Sequence, residues 1–366
     1  MDKPHLGVSI MPEPDFLQAV LPLLQDGDVE AIEWSFDTIQ FEKHKPKWLN
    51  RLLQEYADNN RLIGHGVYYS LFQAKWSKEQ ANWLKKLKKE VVRYNYRHIS
   101  EHFGFMSDHV DHHKGCPFPV PLNKTILAIG IDRLQRLQDA AQLPVGVENL
   151  AFSFSKCDVE QQGEFITKLI EPINGFVILD LHNIYCQSEN FGIDMMDLID
   201  CYPLSSVKEI HISGGSWQES VYQGVKKRIR RDTHDGHVPK KIFDVLPAVL
   251  QKCKSVEFVI FEKMGNSFQK PGDFVDYRND FNKLKNIIEN TTLKFEAKEW
   301  GNKIIPEKEP VEDELLFKEQ NLLSKTLLGV SNYKELLSKI NLKRWEMDKW
   351  DPGMIDTAIA ISKKWS

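Results

Sequence analysis

Histidine and carboxylate residues occur in small groups along this 366-residue chain, and most groups close a short apolar segment. Imidazole nitrogens and carboxylate oxygens are ligand types shared by iron, manganese and zinc. A single buried group is ordinarily a hydrogen-bonded structural residue, but many together repel one another unless cations neutralise them. The candidate metal ligands are His65, His102, Glu148, Asp180, His182, His211, Asp232, His234 and Glu262.

The size of this set predicts two or three metal ions, because one ion takes about four to six ligands. Glu148 and Glu262 are candidate bridging carboxylates. The pairs Asp180 with His182 and Asp232 with His234 are two residues apart, which in an extended segment places both side chains on one side. Ligand chemistry alone leaves iron, manganese and zinc open.

Polar neighbours of these ligands are predicted to support the site or to contact substrate. Two of them directly flank a ligand and point the other way along a strand, which suits a supporting role. A basic run ends beside the Asp232 motif, where it either grips an acidic peptide or a carboxylate or is a solvated loop. One histidine is a ligand, a proton carrier or a surface residue. The two residues that flank a ligand are Glu101 and Asn149, the candidates in the basic run are Arg230 and Arg231, and the histidine is His237. Asn183 is a further candidate.

Short segments rich in Val and Ile alternate with helical patterns, which is typical of parallel strands joined by crossover helices. In a (β/α)8 barrel, reactive residues lie at the C-terminal ends of the strands, and most of the candidate ligands occupy such positions. The sequence therefore predicts this barrel. Its eight expected strands are His5–Ile10, Val29–Phe36, Arg61–Tyr68, Arg97–Phe103, Pro144–Leu150, Gly175–Leu181, Val207–Ser213 and Val256–Glu262.

Helical signals fill the intervals, most clearly at Ser77–Tyr96, which opens with a capping-box pattern, at Leu122–Gln142 and at Asp276–Ile288. We expect a catalytic barrel at 1–297, a Lys/Glu/Pro-rich linker at 298–312 and a helical extension at 313–366 that covers the barrel. The helices expected in the extension are Asp313–Leu328, Asn332–Ile340 and Met354–Trp365.

Composition excludes several classes of protein. A formal net charge of -4 gives no global attraction to nucleic acid or to anionic membranes. Neither a signal peptide nor a membrane-spanning segment is evident. The cysteines are odd in number and lack a C-x-x-C pair, which fits reduced thiols in a cytoplasmic protein. They are Cys116, Cys157, Cys186, Cys201 and Cys253.

Taken together, the motifs resemble those of the multinuclear non-haem iron-dependent oxidative enzymes that mature ribosomally made peptides. They follow the order of that family and span most of residues 5–290. The matching motifs are Gly64-His65-Gly66-Val67, Ser100-Glu101-His102, Gly146-Val147-Glu148-Asn149, Leu179-Asp180-Leu181-His182-Asn183, Glu209-Ile210-His211, Asp232-Thr233-His234 and Phe261-Glu262-Lys263-Met264-Gly265-Asn266.

The resemblance implies a barrel with two or three irons in a mixed ferrous and ferric state, and dioxygen as co-substrate. It implies a precursor peptide modified at a cysteine or near its C-terminus, and a separate precursor-recognition protein as partner. Two positions depart from the family pattern. Gly215 stands where the family commonly has a second histidine four residues after His211, and His182-Asn183 replaces the usual Asn-Asn.

Two other functions fit the same residues. Xylose-isomerase-like barrels, including trinuclear zinc endonucleases, also surround the barrel mouth with His, Asp and Glu for hydrolysis or isomerisation. The overall acidity argues against a DNA substrate. A peptide-binding scaffold without catalysis is the third reading, although so many desolvated charges have no evident purpose without metal. The sequence specifies neither the peptide nor the residue modified in it.

Overall fold

The computed structural model describes residues 3–38, 46–106, 117–222, 225–302 and 305–364. Eight parallel strands form a closed barrel in which each strand pairs with the next and the last pairs with the first. Most of their residues are buried, as strands enclosed on both faces require. The predicted fold is confirmed. The strands are β1 (His5–Ser9), β2 (Ala31–Trp34), β3 (Leu62–His65), β4 (Ile99–His102), β7 (Val145–Glu148), β8 (Phe176–Asp180), β9 (Val207–Ile212) and β12 (Phe258–Phe261).

Helices connect the strands, as the sequence predicts. The capping box is present, since Ser77 Oγ accepts a hydrogen bond from the Gln80 amide at 3.1 Å and the Gln80 side chain accepts one from the Ser77 amide at 3.3 Å. The last helix of the barrel begins at Pro271, ahead of the expected Asp276, because proline suits a first helical turn. The helices are α1 (Pro14–Gln25), α2 (Lys47–Asp58), α3 (Lys78–Arg93), α4 (Lys124–Ala141), α5 (Lys156–Ile170), α6 (Leu181–Phe191), α7 (Met195–Asp200), α8 (Lys240–Lys252) and α9 (Pro271–Asn290).

The basic run at 226–231 is not a loop. It lies on β11 (Val225–Arg231), which pairs antiparallel with β10 (Ser216–Tyr222) in a hairpin beyond the end of β9. Ile229 is fully buried on this strand and Arg230 is buried next to it, whereas Arg228 is exposed. A second, shorter pair joins β5 (Phe105–Met106) to β6 (Pro117–Phe118).

The C-terminal helices pack against loops at the C-terminal end of the barrel. Trp345 lies 5.9 Å from Phe105 and 6.3 Å from Phe154 between ring centroids, and the Asp351 amide donates to the Phe154 carbonyl at 2.7 Å. Asp351 also forms an ion pair with Lys227 of the hairpin at 2.8 Å. The helices, close to their expected ranges, are α10 (Glu314–Gly329), α11 (Tyr333–Lys339) and α12 (Pro352–Lys364).

Between α9 and α10, the described residues form neither helix nor strand, in keeping with the expected linker. The division into barrel, linker and extension remains a prediction. Among the described helices, none combines the length and the apolar character that crossing a membrane requires.

Replacing Gln320 tests the contact between extension and barrel. Its buried side chain accepts a hydrogen bond from the Ala74 amide at 2.9 Å and donates one to the Phe72 carbonyl at 2.8 Å. Gln320→Ala leaves both backbone groups unpaired, so we expect the free energy of unfolding to fall by about 1–3 kcal/mol. Lys325→Ala, at an exposed position of the same helix, is the control and should change it by less than about 0.5 kcal/mol. Equal denaturation midpoints for the two variants would contradict the contact.

Candidate metal centre

Three neighbouring strands bring a first group of donors together. His65 ends β3, His102 ends β4 and Glu148 ends β7. The Nε2 atoms of the two histidines lie 3.1 and 3.3 Å from Glu148 Oε2, and 3.4 Å from each other. All three donor atoms therefore face a common point where one metal ion would fit.

A second group shares Glu148 with the first. Glu148, Asp180 and His211 each offer a donor atom within 4.8 Å of the others. Glu148 Oε1 lies 3.8 Å from His211 Nδ1, whereas its Oε2 faces the two histidines of the first group. Glu262 Oε2 also approaches His211 Nδ1, at 3.3 Å. The two oxygens of Glu148 therefore face different donor groups, and its predicted bridging role remains a prediction.

The remaining candidates form a third group around Asp232. Its two oxygens lie 2.9 Å from His182 Nδ1 and 2.9 Å from His234 Nε2. His234 Nε2 is also 3.9 Å from Glu262 Oε2, which links this group to the second. The backbone of His234 has a φ of 51°, a left-handed conformation uncommon outside glycine and often found at functional sites.

The prediction that the side chains of Asp180 and His182 lie on one side of an extended segment is wrong. Strand β8 ends at Asp180, whose side chain accepts a hydrogen bond from the Asn183 amide at 2.6 Å and so caps α6. His182 therefore lies in the first helical turn, and its ring faces Asp232 instead of Asp180. Its second nitrogen, Nε2, accepts a hydrogen bond from Arg230 at 3.0 Å. Its role as a ligand remains a prediction.

Buried polar atoms without partners show that the site fits cations. Among the described residues, Asp180 Oδ2 is buried without a hydrogen-bond partner, and His211 Nδ1 and Glu262 Oε2 face each other at 3.3 Å without forming a hydrogen bond. Burial, followed by the charges of Glu148 and Asp232, raises the pKa of Asp180 well above its usual range. A carboxylate pressed towards its protonated form by its neighbours is a group that a bound cation would return to the charged state.

The other groups of the site depart from their ordinary pKa in both directions. Burial alone would lower the pKa of His65, but the carboxylates of Glu33 and Glu148 raise it to about 9. Burial lowers the pKa of His102 to about 4. Burial would raise the pKa of Glu148, yet His102 and His65 lower it to about 2. The pKa of His234 is raised by Asp232 and Glu262 against the effect of burial.

The MbnB/TglH/ChrH family of RiPP precursor modification enzymes matches residues 28–270 of this chain, well over half of its length. The chain belongs to this family. RiPPs are ribosomally synthesised and post-translationally modified peptides, so the family's enzymes act on precursor peptides. The resemblance seen in the motifs is confirmed.

Other comparisons add relatives and a fold neighbour. A UPF0276 protein of Vibrio vulnificus is 25% identical over 247 residues, covering 66% of this chain and 79% of that protein. A UPF0276 protein of Acaryochloris marina is 25% identical over 197 residues, covering 54% of this chain and 67% of that protein. The chain spans 56% of the length of a UPF0276 protein of Alcanivorax borkumensis. A solved xylose isomerase-like TIM barrel/4-hydroxyphenylpyruvate dioxygenase fusion protein has a TM-score of 0.51 at 13% identity, covering 79% of this chain and 43% of that one, which shows the fold alone.

Hydrogen bonds on the outer nitrogens aim both histidines of the first group inward. His65 Nδ1 lies 2.8 Å from Ser100 Oγ, and His102 Nδ1 lies 3.2 Å from the Gly66 carbonyl. Glu101 supports the same loop, since it accepts a hydrogen bond from the Tyr69 amide at 3.3 Å. A Cβ at residue 66 would lie 2.2 Å from Glu101 Oε1, so a side chain there would force Glu101 to move. These contacts leave each Nε2 for the metal.

Two asparagines tie the strand ends together. Asn149 accepts from the Asp180 amide at 2.7 Å and donates to the Asp180 carbonyl at 3.1 Å. Asn183 donates to Glu148 Oε1 at 3.1 Å and to the Asn149 carbonyl at 2.8 Å. Both therefore hold predicted ligands in place. His237 is not brought to the centre, since its side chain is 68% exposed and faces Asp276 at 3.9 Å.

Beneath the centre lies a buried column that sequence reasoning missed. His211 Nε2 is 3.1 Å from a carboxylate oxygen of both Glu33 and Glu209, and Glu209 in turn lies 2.5 Å from His98 Nε2. All four side chains are fully buried. Glu33, Glu209 and His211 also satisfy the geometry of a metal-binding group. The only signal in the sequence is a charged residue inside an apolar strand.

The two departures from the family pattern are neighbours in space. A Cβ at Gly215 would lie 2.7 Å from His182 Cε1 and 2.2 Å from the Arg231 carbonyl oxygen. The ring of His182 therefore occupies the space beside residue 215, and a side chain there would displace it. The two positions form one local arrangement.

Metal binding to this centre should release protons. At pH 7 the raised pKa of His65, about 9, keeps its imidazole protonated, whereas His102, with a pKa of about 4, is already neutral. A metal needs the free nitrogen, so the release of this proton alone should raise the apparent Zn²⁺ affinity about tenfold per pH unit between about pH 6.5 and 8, and release from other groups would steepen the rise. Calorimetric titration in two buffers of different ionisation enthalpy counts the protons released.

Two variants serve as the comparison for this titration. His65→Ala should reduce the count by about one proton, whereas His102→Ala should weaken Zn²⁺ binding without changing the count. An affinity that stays flat across this pH range would show that His65 is not protonated in the metal-free protein.

Proposed function

We propose that the chain is an iron- and dioxygen-dependent oxidoreductase that modifies a ribosomally synthesised precursor peptide. The observation that carries this proposal is Glu148, which faces His65 and His102 with one oxygen and His211 with the other. A carboxylate shared by two donor groups suits a centre with more than one ion. Membership of a family that modifies RiPP precursors supports the peptide substrate.

The donor set supports iron without selecting it. The three groups consist of imidazole nitrogens and carboxylate oxygens, a mixture that suits iron, manganese and zinc. Iron follows from the family resemblance, and the number of donors supports two or three ions. When bound, the irons would supply the activation of dioxygen and the oxidising power, which the protein side chains lack.

The chain's own residues position these donors. Ser100 and the Gly66 carbonyl fix the ring orientations of the two histidines, and Asn183 holds Glu148 from the side. Phe105, which follows the end of β4, packs against Trp345 of the extension at 5.9 Å between ring centroids. No residue is assigned as the acid or base of the reaction.

Partner and compartment complete the proposal. A separate precursor-recognition protein would present the peptide, and the extension at 314–364, which packs on the hairpin through Asp351 and Lys227, would be its docking element. A cytoplasmic location is supported by the cysteines, since Cys157, Cys186, Cys201 and Cys253 are free thiols in the structure. Cys116 lies outside the described residues.

The decisive experiment co-expresses the chain with the precursor peptide encoded beside its gene. We expect anaerobically purified protein to contain two or three irons, to consume dioxygen with the peptide and to change the peptide's mass. Zinc without iron and without oxygen consumption would instead favour a hydrolase or isomerase of the xylose-isomerase-like type. Iron-loaded protein that binds the peptide and leaves its mass unchanged would favour a scaffold.

Replacing Glu148 tests the bridging position. Glu148→Gln keeps the shape of the side chain but removes the charge that two groups share, so iron content should fall by at least one ion per chain. Peptide modification, measured by mass spectrometry, should fall on the order of a hundredfold or more. Glu160→Gln, exposed on α5, is the control and should retain both. Full iron content in Glu148→Gln would exclude a bridging role.

A further inference from the structure

Arg230 is a buried arginine beside the metal centre. It lies on β11 and is 7% exposed. The side chain of Asn190 on α6 binds its backbone at two points, accepting from the Arg230 amide at 2.7 Å and donating to the Arg230 carbonyl at 3.0 Å. The position of Arg230 is therefore fixed by the contact between hairpin and helix.

The guanidinium of Arg230 has no acidic partner. Nη2 and Nε approach His182 Nε2 at 3.0 and 3.3 Å, and the rings of Tyr185 and Trp217 lie 5.4 and 5.5 Å away. Within the described parts of the chain, no carboxylate oxygen comes within 4.0 Å of this side chain. A buried cation without a counter-charge is costly, and one imidazole nitrogen uses few of its five donors.

The other basic residues of the run are less buried than Arg230, and two of them face a carboxylate. Lys226 faces Glu219 at 3.9 Å, Lys227 pairs with Asp351 at 2.8 Å, and Arg231 donates to the Gln218 side chain. Arg228 is exposed and lies over the Trp217 ring at 4.8 Å. Burial without an anionic partner therefore distinguishes Arg230 from the rest of the run.

Arg230 is also connected to the centre through His182. Because the guanidinium donates to Nε2, the proton of the neutral ring is on Nδ1, which donates to Asp232 Oδ1 at 2.9 Å. One imidazole thus separates Arg230 from a predicted metal ligand. Trp217, 37% exposed, forms a wall that reaches from this position to the surface.

We propose that Arg230 binds a carboxylate of the peptide substrate, with the rings of Trp217 and Tyr185 as walls. This deepens the proposed function and depends on it for the identity of the ligand as a peptide. An arginine held in this way binds a carboxylate with two parallel hydrogen bonds. The substrate class is then a peptide with a carboxylate, in a side chain or at the C-terminus, near the residue that is modified.

Calorimetric titration of the anaerobically purified, full-length protein with small probes tests this site. N-acetylaspartate α-amide carries a side-chain carboxylate, N-acetylalanine a terminal one, and N-acetylasparagine α-amide is the neutral match of the first. We expect one or both of the charged probes to bind on the order of tenfold or more tightly than the neutral one. Whichever acid binds identifies the source of the carboxylate.

Variants assign this binding to Arg230. Arg230→Gln should lose the preference for acids by on the order of tenfold, and Arg230→Lys should retain part of it, because the charge remains but the paired donors are lost. Arg228→Gln, on the same strand and against the same ring, is the control with little expected change. Thermal unfolding checks that each variant folds. If Arg230→Gln does not fold, the acid preference of Arg230→Lys is compared with that of Arg228→Lys instead.

Two outcomes would overturn the proposal. Either the neutral probe binds as well as the acids, or the Arg230 variants keep the preference, as expected of a carboxylate that binds to the metal instead. The proposed function is tested by oxygen consumption and by the change in peptide mass, which these binding measurements do not use. Failure of the carboxylate site is therefore distinguishable from failure of the proposed function.

Discussion

The carboxylate of Glu148 lies between three imidazoles in the interior of a closed barrel, and the surrounding structure depends on this arrangement. Parallel strands end on the same rim, so His65, His102 and His211 reach one carboxylate from β3, β4 and β9. Within the metal-free protein these groups neutralise one another only in part, because Asp180 and Glu262 add further acid at the same place. Bound cations would complete the balance of charge that the fold leaves open.

The buried column below the centre follows from the same balance. His211 has two nitrogens, and the contacts of Nε2 with Glu33 and Glu209 direct Nδ1 towards the predicted metals. Burial would lower the pKa of His211, yet Glu262 and Glu33 raise it well above its usual range. His98 in turn faces Glu209. Acidic and basic groups therefore alternate from the barrel interior to its mouth, and each compensates part of the desolvation of the next.

Sequence patterns predicted those parts of the structure that local chemistry determines. Eight apolar segments indicated the barrel, and the ends of those segments indicated His65, His102 and Glu148. Glu33 and Glu209 were missed because a charged residue inside an apolar strand looks the same whether it faces a helix or the barrel axis. The hairpin was missed because its run of lysine and arginine contains one apolar residue, Ile229, and so lacks the apolar alternation that indicates a strand. The contact of His182 with Arg230 joins residues on two elements, and no local pattern reports it.

The two sides of the centre are held by different elements, the barrel strands on one side and the hairpin on the other. His65 and His102 lie at strand ends and are held by Ser100 and the Gly66 carbonyl, so this side belongs to the rigid barrel. The side around Asp232 follows directly after β11, and that strand is fastened to the extension through Lys227 and Asp351. The extension, Arg230 and Asp232 are therefore connected through one strand. Arg230 and the predicted ligand Asp232 are thus joined twice, along the chain and through the hydrogen bonds that His182 makes with both side chains.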